Sequence, residues 1–396
     1  MSAADPPSAA ELLARARELV PPLKAHAAAT ERERMVPRAL WERARATRIQ
    51  LACRPRRFGG FEHDPGTIYE LIVALAPGCA STAWCVGLAA SGDWMLAAFP
   101  LQAQQDVWDA DTDAMICASF APTAKAVPCA GGFSVTGKWA FASGCDYAQW
   151  AMLGAVIAAE GKPPTPAFML LPASDYAIED NWFTSGLSGT GSKNLLARDV
   201  FVPRHRIVTF AEITSGDSPG AKAHANPIYG IPFMAVFPGM LAAAGIGAAK
   251  GAVEDFIAMA RVRETRGAIA GGLKHMADFA TVQLRVAEAS ASAAAADLLL
   301  RTDIREVVAM VRAGTKPGIA DRIRYRRDQA FAAKLAVAAV EALNGATGGN
   351  GLFLDHPVQR AWRDANAVAR HIGVNWDAVG TMYGQHALGL EPFGQY

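Results

Sequence analysis

The sequence has almost no excess of charge of either sign. Lys and Arg together number 38 and Asp and Glu number 37, so the net charge is +1. A protein that holds a polyanion needs a basic surface, and this balance therefore argues against a nucleic-acid partner. The first residues, MSAADPPSAAELLARARELV, lack a basic segment followed by an unbroken apolar run, which disfavours a secretory signal and predicts a cytoplasmic protein.

Metal-ligand spacings and membrane spans are also missing. The six cysteines form no CxxC pair and the eight histidines no HExxH motif, so we expect reduced thiols and no metal site. The most apolar stretch, residues 232–249, is interrupted by Pro238 and followed at once by a charged helical pattern. It predicts a buried core helix and not a membrane span.

The pattern of apolar residues changes twice along the chain. Apolar residues recur at helical spacing up to residue 109, short β-branched and aromatic runs follow between residues 115 and 202, and Ala-rich helical patterns resume near residue 228. We therefore predict an α+β multi-domain protein: an N-terminal α-helical domain (1–112), a central β-domain of sandwich or barrel type (113–215) and a C-terminal four-helix bundle domain (216–396).

Two predicted strands end in residues suited to a ligand. Residues 118–123 (ASFAPT) end one strand at a Pro turn, and residues 138–145 (KWAFASGC) end another in small and hydroxyl residues. Strand ends of this kind present backbone donors and hydroxyls to the edge of a planar heterocycle, while aromatic side chains cover its face. The alternative is an ordinary transition from strand to turn.

Five segments in a fixed order resemble the acyl-CoA dehydrogenase superfamily. They are most similar to its flavin-dependent monooxygenase branch, which includes 4-hydroxyphenylacetate 3-hydroxylase oxygenase components and the secosteroid phenol hydroxylase of sterol degradation. The resemblance spans nearly the whole chain and implies the acyl-CoA dehydrogenase fold. The segments are 77–84 (PGCASTAW), 118–126 (ASFAPTAKA), 131–146 (GGFSVTGKWAFASGCD), 186–203 (GLSGTGSKNLLARDVFVP) and 371–389 (HIGVNWDAVGTMYGQHALG).

The resemblance implies an activity and its co-substrates. It implies the oxygenase component of a two-component monooxygenase, which hydroxylates an aromatic substrate (phenolic, polycyclic or indolic) through a C4a-hydroperoxyflavin. Reduced flavin, either FADH2 or FMNH2, would come from a separate NAD(P)H:flavin reductase, because the glycines at 245–251 lie inside a helical pattern and not after a strand. The resemblance also implies a homotetramer assembled through the C-terminal bundle.

The flavin site can be placed by the same resemblance. Ser143 matches the serine whose hydroxyl faces the flavin N5 edge, where it is expected to donate. Ser119, Phe120 and Ala121 match the strand end along the pyrimidine side of the ring. Trp84 and Trp139 lie in the segments that wall the pocket, and each is equally consistent with a place in the core. Arg263 is expected near the flavin phosphate, commonly of a neighbouring subunit.

His371 is the predicted catalytic residue on the substrate side. It matches the histidine that contacts the phenolic oxygen in phenol hydroxylases of this branch, where polarising or removing the proton activates the ring. The alternative is a histidine that caps a helix end. Ser91 and Gly92 stand near the position of a substrate-facing histidine in hydroxyphenylacetate-type enzymes, and we expect these small residues to leave room for a larger ring. Tyr383 completes the predicted substrate site.

Two other functions remain open at this point. An acyl-CoA dehydrogenase needs a carboxylate that removes the α-proton of a thioester, and the comparable C-terminal stretch, 382–388 (MYGQHAL), contains no acid. Because that base can also come from an earlier helix, the absence lowers this alternative without removing it. A flavin-binding protein without catalysis is the second alternative, and the retained Ser119, Ser143 and His371 argue against it.

Overall fold

The N-terminal part of the chain is helical. The structure, a computed structural model, describes residues 5–265 and 274–396. Helix α1 begins with a capping box in which Ser8 and Glu11 satisfy each other's backbone N–H groups, and Pro65 opens α3 after the Asp64 cap. Between residues 5 and 112 the α-helices are α1 (Ala9–Glu33), α2 (Arg38–Ala46), α3 (Pro65–Leu75), α4 (Ala80–Leu96) and α5 (Leu101–Trp108).

A seven-stranded sheet follows. Its strand order is β5-β6-β2-β1-β3-β4-β7, and β1 and β3 pair in parallel while the other neighbours are antiparallel. The strands are β1 (Ile116–Cys129), β2 (Gly132–Ala142), β3 (Trp150–Ile157), β4 (Thr165–Pro172), β5 (Ala177–Glu179), β6 (Lys193–Pro203) and β7 (Ile207–Thr209).

The C-terminal part is helical again. Helices α8 to α11 pack on one another as a four-helix bundle, and α12 lies against α10. This order of helices, sheet and bundle confirms the predicted α+β class. The elements are α6 (Phe210–Ser215), α7 (Pro219–Ala223), α8 (Phe233–Val262), β8 (Glu264–Thr265), β9 (Lys274–His275), α9 (Ala280–Arg312), α10 (Ile319–Asn344), α11 (Pro357–Ala369) and α12 (Trp376–Ala387).

Helix α8 is the central helix of the bundle. Among the described residues it is the one helix long and apolar enough to cross a bilayer, but 94% of its most apolar window is buried inside the protein. Its glycines allow close packing, because a Cβ on Gly247 would lie 2.6 Å from the Val73 carbonyl oxygen and one on Gly251 2.7 Å from Pro77 Cα. The glycines at 245–251 therefore serve helix packing.

Candidate active site

Three parts of the chain converge on one group of side chains. Trp84 comes from α4, Ser143 follows the end of β2, and His371 precedes the 3-10 helix Ile372–Val374. The Trp84 indole Nε1 donates to Ser143 Oγ at 3.0 Å, and the Trp84 and His371 rings lie 6.0 Å apart between centroids. The structure thus brings together the two predicted catalytic residues and one of the predicted wall residues.

Ser143 belongs to a chain of buried hydroxyls with a defined direction. Thr190 donates its single hydroxyl proton to the Leu187 carbonyl at 2.8 Å, so Ser192, at 2.6 Å, must donate to Thr190. Ser143, at 2.7 Å from Ser192, must in turn donate to Ser192. Because Ser143 also accepts from Trp84, its remaining capacity is one acceptor lone pair. The structure gives Ser143 an acceptor role where the resemblance implies a donor.

Thr190 and Ser192 were missed as site residues from the sequence. They lie in a tight turn in which Leu187 and Gly191 adopt left-handed backbone conformations, with φ of 50° and 53°. The buried carboxylate of Asp364 on α11 holds this turn by accepting from the Leu187 N–H at 2.7 Å. Burial raises the pKa of Asp364 to about 6. No spacing rule connects these residues, since Asp364 lies 177 positions beyond Leu187 in the chain.

The two predicted ligand-binding strand ends are both irregular. The β1–β3 register shifts between Ser119 and Ala124, and the β2–β6 register shifts between Trp139 and Ala142. The Ser119 hydroxyl donates to the Ala140 carbonyl at 2.7 Å and so joins the two irregular segments. Such bulges release backbone groups from the sheet and are common beside active sites. Phe120 and the exposed Ala121 lie in the first of these segments.

Phe141 is a further candidate site residue that was not predicted from the sequence. It adopts a φ of 66°, a strained conformation for a bulky residue, and 67% of its surface is exposed beside Ser143. Its ring contacts the Trp182 ring edge-on at 6.0 Å between centroids. An exposed aromatic face held in a strained conformation next to the hydroxyl chain is suited to cover a planar ligand.

The imidazole of His371 is neutral and oriented. Its Nδ1 accepts from the Gly373 N–H at 3.0 Å, so the proton of the neutral ring resides on Nε2. Burial, and then the positive charge of Arg326, lowers the pKa of His371 to about 4. His371 therefore caps the following 3-10 helix and lies beside Trp84. Its contact with a phenolic oxygen stays a prediction.

Trp139 lies in the core of the sheet. It is fully buried, and its Nε1 donates to the Gly154 carbonyl at 2.6 Å. Of the two tryptophans, Trp84 is the one that contacts both Ser143 and His371.

Packing partners fill the space beside the small residues of the predicted substrate wall. The Ser91 hydroxyl donates to the Gly87 carbonyl at 2.8 Å and lies 3.1 Å from the Met240 sulfur. A Cβ on Gly92 would lie 3.1 Å from the Ile116 carbonyl oxygen. These positions therefore allow α4 to approach its neighbours and do not line an enlarged space, which contradicts the reason given for a larger ring.

Arg263 and Tyr383 have partners elsewhere in the bundle. Arg263 Nη1 donates to the Thr347 carbonyl at 2.7 Å, which anchors the glycine-rich turn after α10. The Arg327 guanidinium lies over the Tyr383 ring at 4.6 Å from its centroid. The roles of Arg263 toward flavin phosphate and of Tyr383 toward substrate stay predictions, and the neighbouring Arg266 lies outside the described residues.

The residues present fit a flavin. An acceptor hydroxyl, two segments released from the sheet and an exposed aromatic ring meet where the resemblance places the isoalloxazine edge. Among the described residues no cluster of His, Cys, Asp and Glu has the arrangement of a metal site.

Comparison with known proteins identifies the family of the chain. Residues 239–376 match the family described as acyl-CoA dehydrogenase, C-terminal domain. The chain is 48% identical over 373 residues to an "FADH(2)-dependent resorcinol hydroxylase, oxygenase component" of Rhizobium sp. (strain MTP-10005), which covers 93% of this chain and 91% of that protein. This chain belongs to the flavin-dependent monooxygenase branch of the acyl-CoA dehydrogenase superfamily.

Two solved structures share the fold over nearly the whole chain. A 3-HSA hydroxylase from Rhodococcus sp. RHA1 has a TM-score of 0.92 at 34% identity and covers 97% of this chain and 98% of that one. XiaF from Streptomyces sp., solved with FADH2 and glycerol, has a TM-score of 0.89 at 27% identity over 98% of this chain and 97% of that one. The predicted family, fold and reduced-flavin cofactor are confirmed, and an oxygenase component implies a separate flavin reductase.

Proposed function

We propose that this protein is the oxygenase component of a two-component monooxygenase that uses FADH2 and dioxygen to hydroxylate a single-ring phenol of the resorcinol class, ortho to a hydroxyl. The observation that carries the proposal is the convergence of Trp84, Ser143 and His371. This group pairs a polar edge for a reduced cofactor with an imidazole for a phenolic oxygen. The alternative, a dehydrogenase acting on a thioester, needs a carboxylate base, whereas the groups gathered here are hydroxyls and an imidazole.

Each residue of the site has a separate task. The Phe141 ring would cover one face of a bound flavin, and the Ser143 oxygen would accept from an N–H on its edge. Reduced flavin would supply the activated oxygen for hydroxylation. His371 Nε2–H would lie on the substrate side and orient the phenolic oxygen by donating a hydrogen bond to it, while ionisation of the phenol to a phenolate would raise electron density at the ortho carbon. The buried rings around the site exclude water, which limits the loss of activated oxygen as hydrogen peroxide.

Aromatic packing supports a small substrate. Phe120 contacts the rings of Phe168, Phe233 and Phe237 at centroid distances of 5.2, 5.6 and 5.0 Å. These rings occupy the space between β1 and α8, and Ser91 and Gly92 are filled by packing as described above. A single phenolic ring is accommodated more readily than a polycyclic or indolic substrate. The relative with 48% identity, which is named as a resorcinol hydroxylase, supports the same substrate class.

A reductase-coupled assay tests the proposed function. Purified protein is supplied with FADH2 or FMNH2 by a flavin reductase, and resorcinol, other phenols, indole and fused phenols are compared by oxygen uptake and by mass spectrometry of products. We expect a hydroxylated resorcinol-class product that carries one atom of labelled dioxygen, and faster turnover with FADH2 than with FMNH2.

A His371→Ala variant tests the role of the imidazole. It should continue to consume oxygen while product formation falls by about 10²-fold or more, the usual contribution of such a group. Desaturation of an acyl-CoA thioester, or best turnover with a fused or indolic ring, would overturn the proposal.

Assembly and location are proposed on separate grounds. Exposed apolar residues lie on α9 (Leu284 and Leu298) and on the turn before α11 (Leu352, Phe353 and Leu354). Their exposure supports a homotetramer, which would bury these surfaces between subunits. All six cysteines are free, which supports a reducing, cytoplasmic location. Light scattering of the purified protein and fractionation of cells measure the two properties directly.

A further inference from the structure

The charged residue that acts on His371 is deeply buried. Arg326 on α10 is only 3% exposed, although it lies within a run of four arginines in seven residues, 321–327. Its guanidinium donates to the Gly373 carbonyl at 2.7 Å, to the Gln329 side chain at 2.8 Å and to the Gln395 carbonyl at 3.2 Å. A buried guanidinium with this set of acceptors fixes the backbone that it contacts.

Gly373 connects Arg326 with His371. Its carbonyl accepts from Arg326, while its N–H donates to His371 Nδ1 at 3.0 Å. The contact is close, because a Cβ at position 373 would lie 3.1 Å from Nδ1. Both polar backbone groups of Gly373 are therefore used, one by the cation and one by the imidazole.

We propose that Arg326 is a positioning residue that, through Gly373, holds His371 as the tautomer with its proton on Nε2, so that His371 donates a hydrogen bond to a phenolate and does not remove the phenolic proton. The proposal rests on the proposed function for the identity of the substrate. Nδ1 is occupied by the Gly373 N–H and Nε2 already carries a proton, so neither nitrogen is free to accept one. The phenol O–H bond therefore breaks as the ligand binds, and the proton leaves to solvent.

The charges agree with this assignment. Burial lowers the pKa of Arg326 to about 10, so Arg326 remains charged at neutral pH. With its own pKa lowered to about 4, His371 remains neutral there. A neutral donor beside a fixed cation favours an anionic ligand oxygen over a neutral one.

The tautomer can be measured without any cofactor or turnover. Histidine labelled with ¹⁵N is incorporated into the full chain, and long-range ¹H–¹⁵N correlations distinguish protonated from bare ring nitrogens; His371→Gln assigns the His371 signals. We expect Nε2 protonated and Nδ1 bare across neutral pH. A protonated Nδ1 would overturn the proposal, and this outcome is independent of whether the protein hydroxylates resorcinol.

The ionisation of a bound phenol tests the consequence. 4-Nitrophenol is titrated into the purified chain and its ionisation is followed by absorbance, because the phenolate absorbs visible light and the neutral phenol does not. We expect binding to raise the acid dissociation constant of 4-nitrophenol by about tenfold or more, the effect of one hydrogen bond to a charged group. An unchanged or lowered constant would contradict the donor role.

Variants on α10 isolate the role of Arg326. Arg326→Met should abolish most of the change in the acid dissociation constant of bound 4-nitrophenol. In this variant the proton of His371 should no longer be confined to Nε2. Arg322→Met is the matched control, because Arg322 lies one turn earlier on α10 and contacts the Thr214 and Tyr396 carbonyls. This variant should retain the 4-nitrophenol shift and the Nε2-protonated His371. If Arg326→Met does not fold, Arg326→Lys replaces it and should give a smaller shift than the wild type. Wild-type behaviour in a folded Arg326 variant, or equal losses in the Arg322 control, would overturn the proposal.

Discussion

The indole N–H of Trp84 donates to the hydroxyl of Ser143, and this bond joins helix α4 to the end of strand β2. Ser143→Ala should leave the Trp84 donor without its acceptor and should cost about 1 to 3 kcal/mol of unfolding free energy. We expect more hydrogen peroxide per oxygen consumed, because the edge of the cofactor loses its polar contact. Peroxide and product are measured together; Ser134→Ala, within strand β2, should leave their ratio unchanged.

Thr190 sets the direction of the hydroxyl chain from its far end. Thr190→Val should free Ser192 and Ser143 to reverse, so that Ser143 gains the ability to donate. Reduced flavin carries an N–H where oxidised flavin has a bare nitrogen, so the affinity difference between them should narrow by about tenfold, the effect of one hydrogen bond. Flavin titrations under anaerobic and aerobic conditions measure it. Thr82→Val is the control, because Thr82 is a buried threonine that does not belong to the hydroxyl chain. If the affinity difference between reduced and oxidised flavin is unchanged in Thr190→Val, the direction assigned to the hydroxyl chain is wrong.

Trp139 should matter for stability and not for the cofactor. Trp139→Phe removes the donor to the Gly154 carbonyl and part of a fully buried ring, so the unfolding free energy should fall by about 2 to 4 kcal/mol. Flavin affinity of the folded variant should remain that of the wild type. The opposite pattern, full stability with weakened flavin binding, would place Trp139 in the pocket wall.

Phe141 should lower the stability of the fold through its strained backbone and raise flavin affinity through its ring. Phe141→Gly relieves a left-handed conformation, so stability should remain equal or rise by about 1 kcal/mol, while flavin affinity should fall by about tenfold through loss of the ring. Arg48→Gly relieves a similar φ of 60° at a distant turn and should leave flavin affinity unchanged. A loss of stability without weaker binding would show that the Phe141 ring serves packing alone.

Asp303 should make the bundle less stable at alkaline pH. Burial, and then the negative charge of Asp328, raises the pKa of Asp303 to about 7. The folded state therefore holds this proton more tightly than the unfolded state, so the stabilisation is complete below about pH 4 and is lost as pH rises to about 7. Asp303→Asn should thus be more stable than the wild type at pH 8, by on the order of 2 to 4 kcal/mol, with a gain that shrinks toward pH 4.

Denaturant unfolding at several pH values measures the Asp303 effect. Asp109→Asn, an exposed change at the end of α5, should show no such trend. A gain that grew toward acid pH would reverse the sign of the proposed linkage.

Local patterns were sufficient to predict the architecture. Short β-branched and aromatic runs and helical spacing depend on neighbouring residues, so the strands and the bundle helices could be predicted from the sequence. The site depended on the resemblance for Ser143 and His371, and the structure added their mutual geometry. The direction of the Ser143 hydroxyl was predicted differently, because it depends on Ser192 and Thr190, which lie 49 and 47 positions further along the chain and contribute only after folding.

Buried charge was the hardest feature to predict. A run of arginines on a helix ordinarily indicates a solvated face, yet Arg326 is buried against Gly373. Likewise, Ser91 and Gly92 suggested free space because small side chains are visible in a sequence and their packing partners, Met240 and Ile116, are not. Side-chain size alone therefore could not distinguish an open pocket from a close helix contact.

The hydroxyl chain from Ser143 through Ser192 to Thr190 ends on the Leu187 carbonyl, which has no proton to pass on. A proton that entered at Ser143 would have no exit at the other end, so the chain cannot act as a wire that conducts protons between the cofactor and bulk water. The chain therefore fixes the positions of the three hydroxyl oxygens without conducting protons. Protons from bulk water cannot reach the reacting oxygen by this route.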